Sequence, residues 1–200
     1  MEDNNFNIVI VDDTMGEEDP LVVELKLDFP EAIVTYFNGV KNAMSFVEKH
    51  MSERIIIFMD CRFGSVWQGV DAILELREKT SLIYVVMMSA NNLSQLGGDY
   101  IAALINADNI FFIRNTDVDG AKEKVRQIQN LWKSQFDCIL ERWLLKHPEN
   151  SNKEAFRESD DKKYTWADIL RELRLRTAIG RSFEQVLNEY YIDQLKQLEE

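Results

Sequence analysis

Five short runs of apolar, mostly β-branched residues constrain this chain more than any other feature of its sequence. The runs are continuous rather than alternating with polar residues, which is typical of strands buried on both faces. Segments with the apolar spacing of helices separate them, so the pattern predicts an α/β fold with a doubly wound, five-stranded parallel sheet. The runs are FNIVIV (6–11), AIVTYF (32–37), RIIIFM (54–59), LIYVVMM (82–88) and NIFFI (109–113).

Charged and polar side chains stand where four of these runs end. Asp12 and Asp13 follow the first run, Asp60 the third, Ser89 the fourth and Arg114 the fifth. Ligands of open α/β sheets bind at the carboxyl ends of the strands, so we expect these side chains to converge there. Crowded carboxylates call for a hard divalent cation, and Mg²⁺ prefers oxygen ligands. The pattern therefore predicts a magnesium site.

The order and spacing of these residues resemble the receiver domains of bacterial two-component response regulators. The resemblance covers roughly residues 7–129. It implies a flavodoxin-like receiver fold in which Asp60 is the phosphoacceptor, Ser89 contacts a phosphoryl oxygen and Phe111 is a rotating aromatic side chain. The Mg²⁺ ligands that it implies are Asp13, Asp60, Asp12 acting through water, and the backbone carbonyl of Arg62.

Two departures from the family pattern concern the proposed chemistry more than the fold. The family places Lys and then Pro at the end of the fifth strand, where this chain has Arg114 and Asn115. Arginine keeps the positive charge, but its planar fork is longer and differently hydrated. After Asp60 the usual Pro is missing and Gly69 lies one residue late, so the rate of phosphorylation stays open.

Helical spacing of apolar residues continues from Asp117 to Pro148 and predicts one extended fifth helix. Its second half would bury Trp132, Phe136 and Trp143 against a C-terminal module or a second copy of the chain. Residues 149–163 are polar and are interpreted as a linker or a short exposed helix.

The last part of the chain resumes the helical pattern, with Thr165 as a predicted N-cap and Gly180 as a predicted turn. We therefore expect a receiver-like domain over residues 1–129 and a small all-α module over residues 130–200.

The acidic composition bears on partners and compartment. The formal net charge of −12 repels phosphate backbones, which argues against general nucleic-acid binding. No apolar run approaches the ~20 residues that span a bilayer, and the acidic start does not resemble a signal peptide. We therefore expect a cytoplasmic protein with no membrane partner and with Cys61 and Cys138 as free thiols.

Together with these observations, the resemblance implies a response-regulator-like signalling protein. Its expected donor is a histidine kinase or phosphotransfer protein, and the fifth helix would relay the phosphorylated state to C-terminal helices that bind a protein partner or a second copy. Enzymatic activity would be limited to self-catalysed phosphoryl transfer and autodephosphorylation.

Alternatives remain at each level. Asp12 and Asp13 could form a turn and a helix cap, Arg114 could serve a structural ion pair, and Phe111 could be simple core. The whole chain could be an unphosphorylated pseudo-receiver that acts as an adaptor, or a DNA-binding regulator that uses residues 171–187. A phosphohydrolase is disfavoured because such sites commonly have a second Asp where Arg62 stands.

Overall fold

The structure is a computed structural model that describes residues 5–51, 53–80, 82–90, 95–159 and 162–197, without the side chains of 133, 134 and 195–197. The chain divides by its contacts into two compact units, Met1–Trp132 and Lys133–Glu200. The boundary expected between residues 129 and 130 remains a prediction, although the contacts divide the chain close to it.

A five-stranded parallel sheet forms the centre of the first unit. Its strand order is β2-β1-β3-β4-β5, which is the flavodoxin-like order of doubly wound sheets. The predicted receiver-type sheet is therefore confirmed, because each apolar run became a strand within two residues of its expected limits. The strands are β1 (Phe6–Val11), β2 (Ala32–Phe37), β3 (Ile55–Asp60), β4 (Tyr84–Ser89) and β5 (Ile110–Arg114).

Helices follow each strand of this sheet. Asp19 caps the first of them by accepting a hydrogen bond from Leu21 N, and Pro20 occupies the first helical position, where its missing N–H costs nothing. The helices are α1 (Pro20–Asp28), α2 (Val40–Lys49), α3 (Gln68–Lys79), α4 (Gly98–Ile105) and α5 (Val118–Ser134).

The sheet is buried because helices supply apolar side chains to it. Val9, Ile57 and Val85 from neighbouring strands pack in one cluster with Val47 of α2 and Ile73 of α3. Parallel sheets need such cover on both faces, which explains why their strands are continuously apolar.

Trp132 corrects one expectation. Its ring lies 5.3 Å from Phe6 and 6.0 Å from Tyr84, centroid to centroid, and both contacts are edge-on. Trp132 therefore belongs to the core of the first unit rather than to the C-terminal module.

The predicted single long helix is also wrong. At Gln135 the backbone is extended (φ −80°, ψ 141°), so α5 ends at Ser134 and a new helix, α6 (Phe136–Lys146), begins. Apolar periodicity continued across the break because residues on both sides are buried, each in the core of its own unit.

The second unit is mainly helical but not all-α, which corrects the expected architecture. Residues read as a linker form an antiparallel hairpin, β6 (Glu154–Ser159) and β7 (Lys162–Thr165), in which Phe156 pairs with Tyr164. The polar composition hid the hairpin because one of its faces is solvent-exposed. Helices α7 (Trp166–Arg174) and α8 (Ala178–Gln197) follow.

An aromatic core holds this unit together. Phe183 contacts Phe136 at 6.2 Å, Phe156 at 5.7 Å and Trp166 at 6.1 Å between ring centroids. Trp143 meets Trp166 at 5.5 Å, so Phe136 and Trp143 pack within the C-terminal unit as expected.

The α7–α8 turn confirms one predicted residue and corrects another. Thr165 is the N-cap of α7 and forms a capping box with Asp168. Gly180 does not mark the turn, which lies at residues 175–177. It lies within α8, where an added Cβ would stand 2.4 Å from the carbonyl oxygen of Glu172.

Candidate functional site

Three carboxylates meet at the carboxyl edge of the sheet. β1 lies beside β3, so the residues that follow β1 are brought next to the last residue of β3. One carboxylate oxygen each from Asp12, Asp13 and Asp60 lies within 4.8 Å of the other two. The tertiary structure thus brings together the acidic residues that the sequence singled out.

Asp12 is held in a fixed orientation. Only 1% of it is exposed, and its Oδ1 accepts hydrogen bonds from Thr14 N, Thr14 Oγ1 and Met15 N at 2.7, 2.7 and 2.9 Å. Its Oδ2 is buried and has no hydrogen-bond partner among the described residues. A buried charged oxygen without a partner is unfavourable unless a ligand completes its environment.

The loop after β3 folds into a tight turn against Asp13. Phe63 and Val66 exchange backbone hydrogen bonds at 3.0 and 3.2 Å, and Gly64 between them has φ +59°, a conformation that favours glycine. Gly64 N donates to Asp13 Oδ2 at 2.9 Å. The loop that lacks the family's Pro therefore has its own means of positioning a carboxylate.

Gly69 lets α3 begin directly against the end of β3. A Cβ at this position would stand 1.8 Å from the carbonyl oxygen of Asp60, well inside any permitted contact. This close approach explains why a glycine is required near the position that the resemblance indicated, although one residue late.

Burial and neighbouring charge raise the pKa of Asp60. Its pKa rises to about 6, first because the carboxyl is partly buried and second because Asp12 lies close, with a smaller contribution from Asp13; backbone N–H groups of Arg62 and Cys61 oppose the shift. Crowding of like charges disfavours the ionised form. A carboxylate perturbed in this way inside a cleft is a candidate functional group.

Asp13 and Asp60 line a cleft with a volume of about 350 Å³. Ser89, the last residue of β4, lies in its wall and is 4% exposed. Arg114 pairs in register with Ser89, but its side chain is exposed and does not line the cleft, whereas the next residue, Asn115, does. The cleft is lined by Asp13, Thr14, Asp60, Arg62, Gly64, Ser89, Ala90 and Asn115.

Phe111 lies on β5, away from the carboxylates. Its half-buried ring stacks on Tyr84 at 6.2 Å with an interplanar angle of 12°, and Lys124 Nζ lies 5.3 Å from its centroid. A role as a rotating side chain stays a prediction.

Sequence reasoning missed several lining residues. Thr14, Gly64 and Asn115 were not predicted as site residues, and Arg62 was predicted to contribute its backbone carbonyl but not its side chain. Asn115 could have been found, because it occupies the position of the family's Pro beside the strand-end cation. Nothing in the sequence indicated Gly64, because its contact with Asp13 forms through a turn that lies far from Asp13 along the chain.

A hard divalent cation fits this donor set. The three carboxylates offer oxygen ligands, and a cation would complete the environment of Asp12 Oδ2 and offset the repulsion that raises the pKa of Asp60.

Comparisons with known proteins gave matches among solved structures. Family models give no match to the sequence, and neither do curated proteins. Among solved structures, a CheY-like response regulator receiver domain protein from Methanospirillum hungatei JF-1 is similar at 14% identity and TM-score 0.49, over 62% of this chain and 94% of that one. The response regulator domain of Thermotoga maritima CheB gives 20% identity and TM-score 0.43, over 62% and 96% of the two chains.

NtrX from Brucella abortus is similar over a longer stretch. The match has 16% identity and TM-score 0.48 and covers 84% of this chain, which spans only 33% of that protein. Within the described ranges, no helix has the length and apolar character that a membrane crossing requires.

Proposed function

We propose that this protein is a response-regulator-like signalling protein that accepts a phosphoryl group on Asp60 with Mg²⁺. The observation that carries the proposal is the convergence of three carboxylates within 4.8 Å, one of them with a buried oxygen that lacks a partner among the described residues. The flavodoxin-like strand order, with the site at the carboxyl edge, supports the same class.

Each residue has a defined task in this chemistry. Asp60 is the nucleophile, and its accessible carboxylate faces the cleft. Asp13, Asp60 and the backbone carbonyl of Arg62 would hold Mg²⁺, with Asp12 acting through water. The cation would supply charge neutralisation between a carboxylate and a phosphoryl group, which otherwise repel each other.

Ser89 is suited to receive the product. Its hydroxyl stands in the cleft wall at the end of the neighbouring strand, so it can donate a hydrogen bond to a phosphoryl oxygen on Asp60. Added negative charge at this point would draw the end of β4 toward the phosphoryl group. This movement would shift the conformational equilibrium of the β4–β5 side of the unit from one state to another. Phe111 and α5 would carry this bias onward.

A histidine kinase or phosphotransfer protein is the expected donor, and the C-terminal unit is the expected output. Apolar side chains on α8 are more than half exposed, which suits contact with a protein partner or a second copy; they are Val186, Tyr190, Tyr191 and Ile192.

The test is uptake of a phosphoryl group by the full chain. Incubation with acetyl phosphate and Mg²⁺, followed by intact mass, should show one added phosphoryl group, which Asp60→Asn abolishes while its circular dichroism stays unchanged. Asp71→Asn is the matched control, because Asp71 is an exposed carboxylate that does not line the cleft and accepts a hydrogen bond from Tyr100 Oη. Retained labelling in Asp60→Asn contradicts the assignment.

The second candidate is an adaptor that is never phosphorylated. It is favoured by Arg114, which does not line the cleft, so the usual strand-end cation does not contribute there. Beryllofluoride with Mg²⁺ separates the candidates: chemical-shift changes at Ser89 and Phe111 support phosphorylation, and their absence supports the adaptor.

The DNA-binding alternative has less support. Arg174 is 7% exposed and pairs with Asp137 and Glu141, and Arg171 pairs with Asp168 and Glu172. These two arginines form ion pairs with acidic neighbours, so they do not contribute to a basic surface for DNA.

A further inference from the structure

Among the described residues that line the cleft, one side chain is cationic, and it is not Arg114 at the end of β5. Arg62 lines the cleft together with Asp13, Asp60 and Ser89, whereas Arg114 is exposed outside it. Transfer of a phosphoryl group to a carboxylate needs a cation near the equatorial oxygens. The position of Arg62 therefore raises the question of whether it takes this task.

The contacts of Arg62 leave its guanidinium available. Its Cζ lies 4.9 Å from the ring centroid of Trp67, and its Nη2 donates a long hydrogen bond of 3.5 Å to the carbonyl oxygen of Ser65. Its Nε is buried without a hydrogen-bond partner, and it forms no ion pair in the part of the chain that the structure describes. A guanidinium on an aromatic face keeps its charge and most of its donors unused.

We propose that Arg62, rather than Arg114, is the cation that binds the phosphoryl oxygens during phosphorylation of Asp60. This inference rests on the proposed function and assigns a catalytic residue within it. Arg62 stands two residues after Asp60 on the turn that Gly64 fixes to Asp13, so its backbone is anchored beside the nucleophile. Its planar fork can contact two phosphoryl oxygens at once, and Trp67 holds the side chain in reach.

The reaction with acetyl phosphate balances without a proton transfer. A carboxylate oxygen of Asp60 forms a bond to phosphorus while the bond between phosphorus and the acetyl oxygen breaks, and acetate leaves with the electron pair. Arg62 donates N–H groups to the equatorial oxygens, where negative charge is concentrated during the transfer.

The experiment compares arginine variants of the full chain. Initial labelling rates with acetyl phosphate and Mg²⁺ give the second-order rate constant of phosphorylation for the wild type, Arg62→Ala, Arg62→Lys and Arg114→Ala. We expect Arg62→Ala to lower this rate constant by about 100-fold, which is the effect of losing one preorganised donor to a transition-state oxygen. Arg62→Lys should recover at least about a tenth of the wild-type value, because the charge returns without the fork. The rate constant of Arg114→Ala should lie within about threefold of the wild-type value.

A second readout separates catalysis from support of the fold. Beryllofluoride should draw Arg62 away from the Trp67 ring and change tryptophan fluorescence, and this change should disappear in Trp67→Phe and in Arg62→Ala. Mg²⁺ affinity, measured by calorimetry, should be unchanged or higher in Arg62→Ala, because a nearby positive charge is removed.

The outcomes are distinct. If Arg114→Ala is phosphorylated slowly and Arg62→Ala at the wild-type rate, the inference is overturned and the proposed function stands. Loss of Mg²⁺ affinity in Arg62→Ala, or no recovery in Arg62→Lys, shows a structural role and also overturns it. A wild type that takes up no phosphoryl group removes both the inference and the proposed function.

Discussion

The two halves of the carboxyl edge of the sheet are built differently. In the acidic half, defined by Asp12, Asp13, Asp60 and the loop 61–67, backbone groups and close packing fix the charged side chains. In the β4–β5 half, defined by Ser89, α4, Phe111 and Arg114, Ser89 is buried at the strand end, but α4 has no buried residue, Ile105 is 77% exposed and the Arg114 side chain is exposed to solvent.

This difference suits the acidic half to cation binding and the β4–β5 half to conformational change. Preorganised carboxylates lower the cost of binding a cation, because little has to be ordered when it arrives. A half with few buried contacts can rearrange at small cost, which is where a response to added charge is expected.

The largest difference between the halves should come from two glycine substitutions. Gly69→Ala places a Cβ 1.8 Å from the Asp60 carbonyl oxygen, so we expect a loss of about 3 kcal/mol or more in the free energy of unfolding. Gly98→Ala, in α4, meets nothing within 4 Å and should raise stability by roughly 0.5 kcal/mol. Urea unfolding measures both. Equal effects would show that the acidic half is not tightly packed.

Cation affinity should distinguish the halves next. Asp12→Asn keeps the shape and the oxygen that accepts three hydrogen bonds but removes the charge, so we expect Mg²⁺ affinity to fall by about 10- to 100-fold, as for an outer ligand.

The matched control for this measurement is Asp117→Asn. Asp117 follows β5 and accepts a hydrogen bond from Gly120 N, so it is also a backbone-bound Asp near the same edge. The Mg²⁺ affinity of Asp117→Asn, measured by calorimetry, should equal that of the wild type. Similar losses in both variants would mean that general charge, not the geometry of the acidic half, attracts the cation.

Asp60 should weaken the fold at neutral pH when no divalent cation is present. Its pKa rises from 3.8 to about 6 on folding, so the folded state disfavours the ionised carboxylate. The cost is fully present above pH 6 and disappears as the pH falls toward 4, because the folded protein takes up the proton first.

The variant Asp60→Asn should therefore be more stable than the wild type by about 1 kcal/mol at pH 7.5, a figure reduced for solvent screening because the carboxyl is only partly buried. Thermal unfolding in EDTA should show this gain shrinking as the pH approaches 4, and saturating Mg²⁺ should reverse the order of stability. A gain that grows at low pH would contradict the raised pKa.

The smallest expected effect concerns the two phenylalanines. Phe58 on β3 is fully buried, and Phe58→Leu should cost about 1 kcal/mol. Phe111 on β5 is half-buried, and Phe111→Leu should change the free energy of unfolding in urea by no more than about 0.5 kcal/mol. A larger loss for Phe111 would place it among the core residues and weaken its assignment as a mobile side chain.

The β-hairpin shows where reasoning from the sequence stopped. Strands β1, β3 and β4 were found because burial on both faces leaves an uninterrupted apolar run. The edge strands β2 and β5 are only partly buried but carry the same kind of apolar run. Strands β6 and β7 carry Phe156 and Tyr164 as a single aromatic pair among charged residues, and so short a pattern does not differ from that of a polar linker.

The sequence by itself determined the five parallel strands, their helices and the meeting of Asp12, Asp13 and Asp60, because apolar periodicity is local and the carboxyl ends of parallel strands share one edge. Only the tertiary structure decided that α5 ends before Gln135, that Trp132 packs on Phe6, and that Arg62 lines the cleft while Arg114 does not. Those features depend on side-chain directions and on contacts between distant segments, which no spacing along the chain encodes.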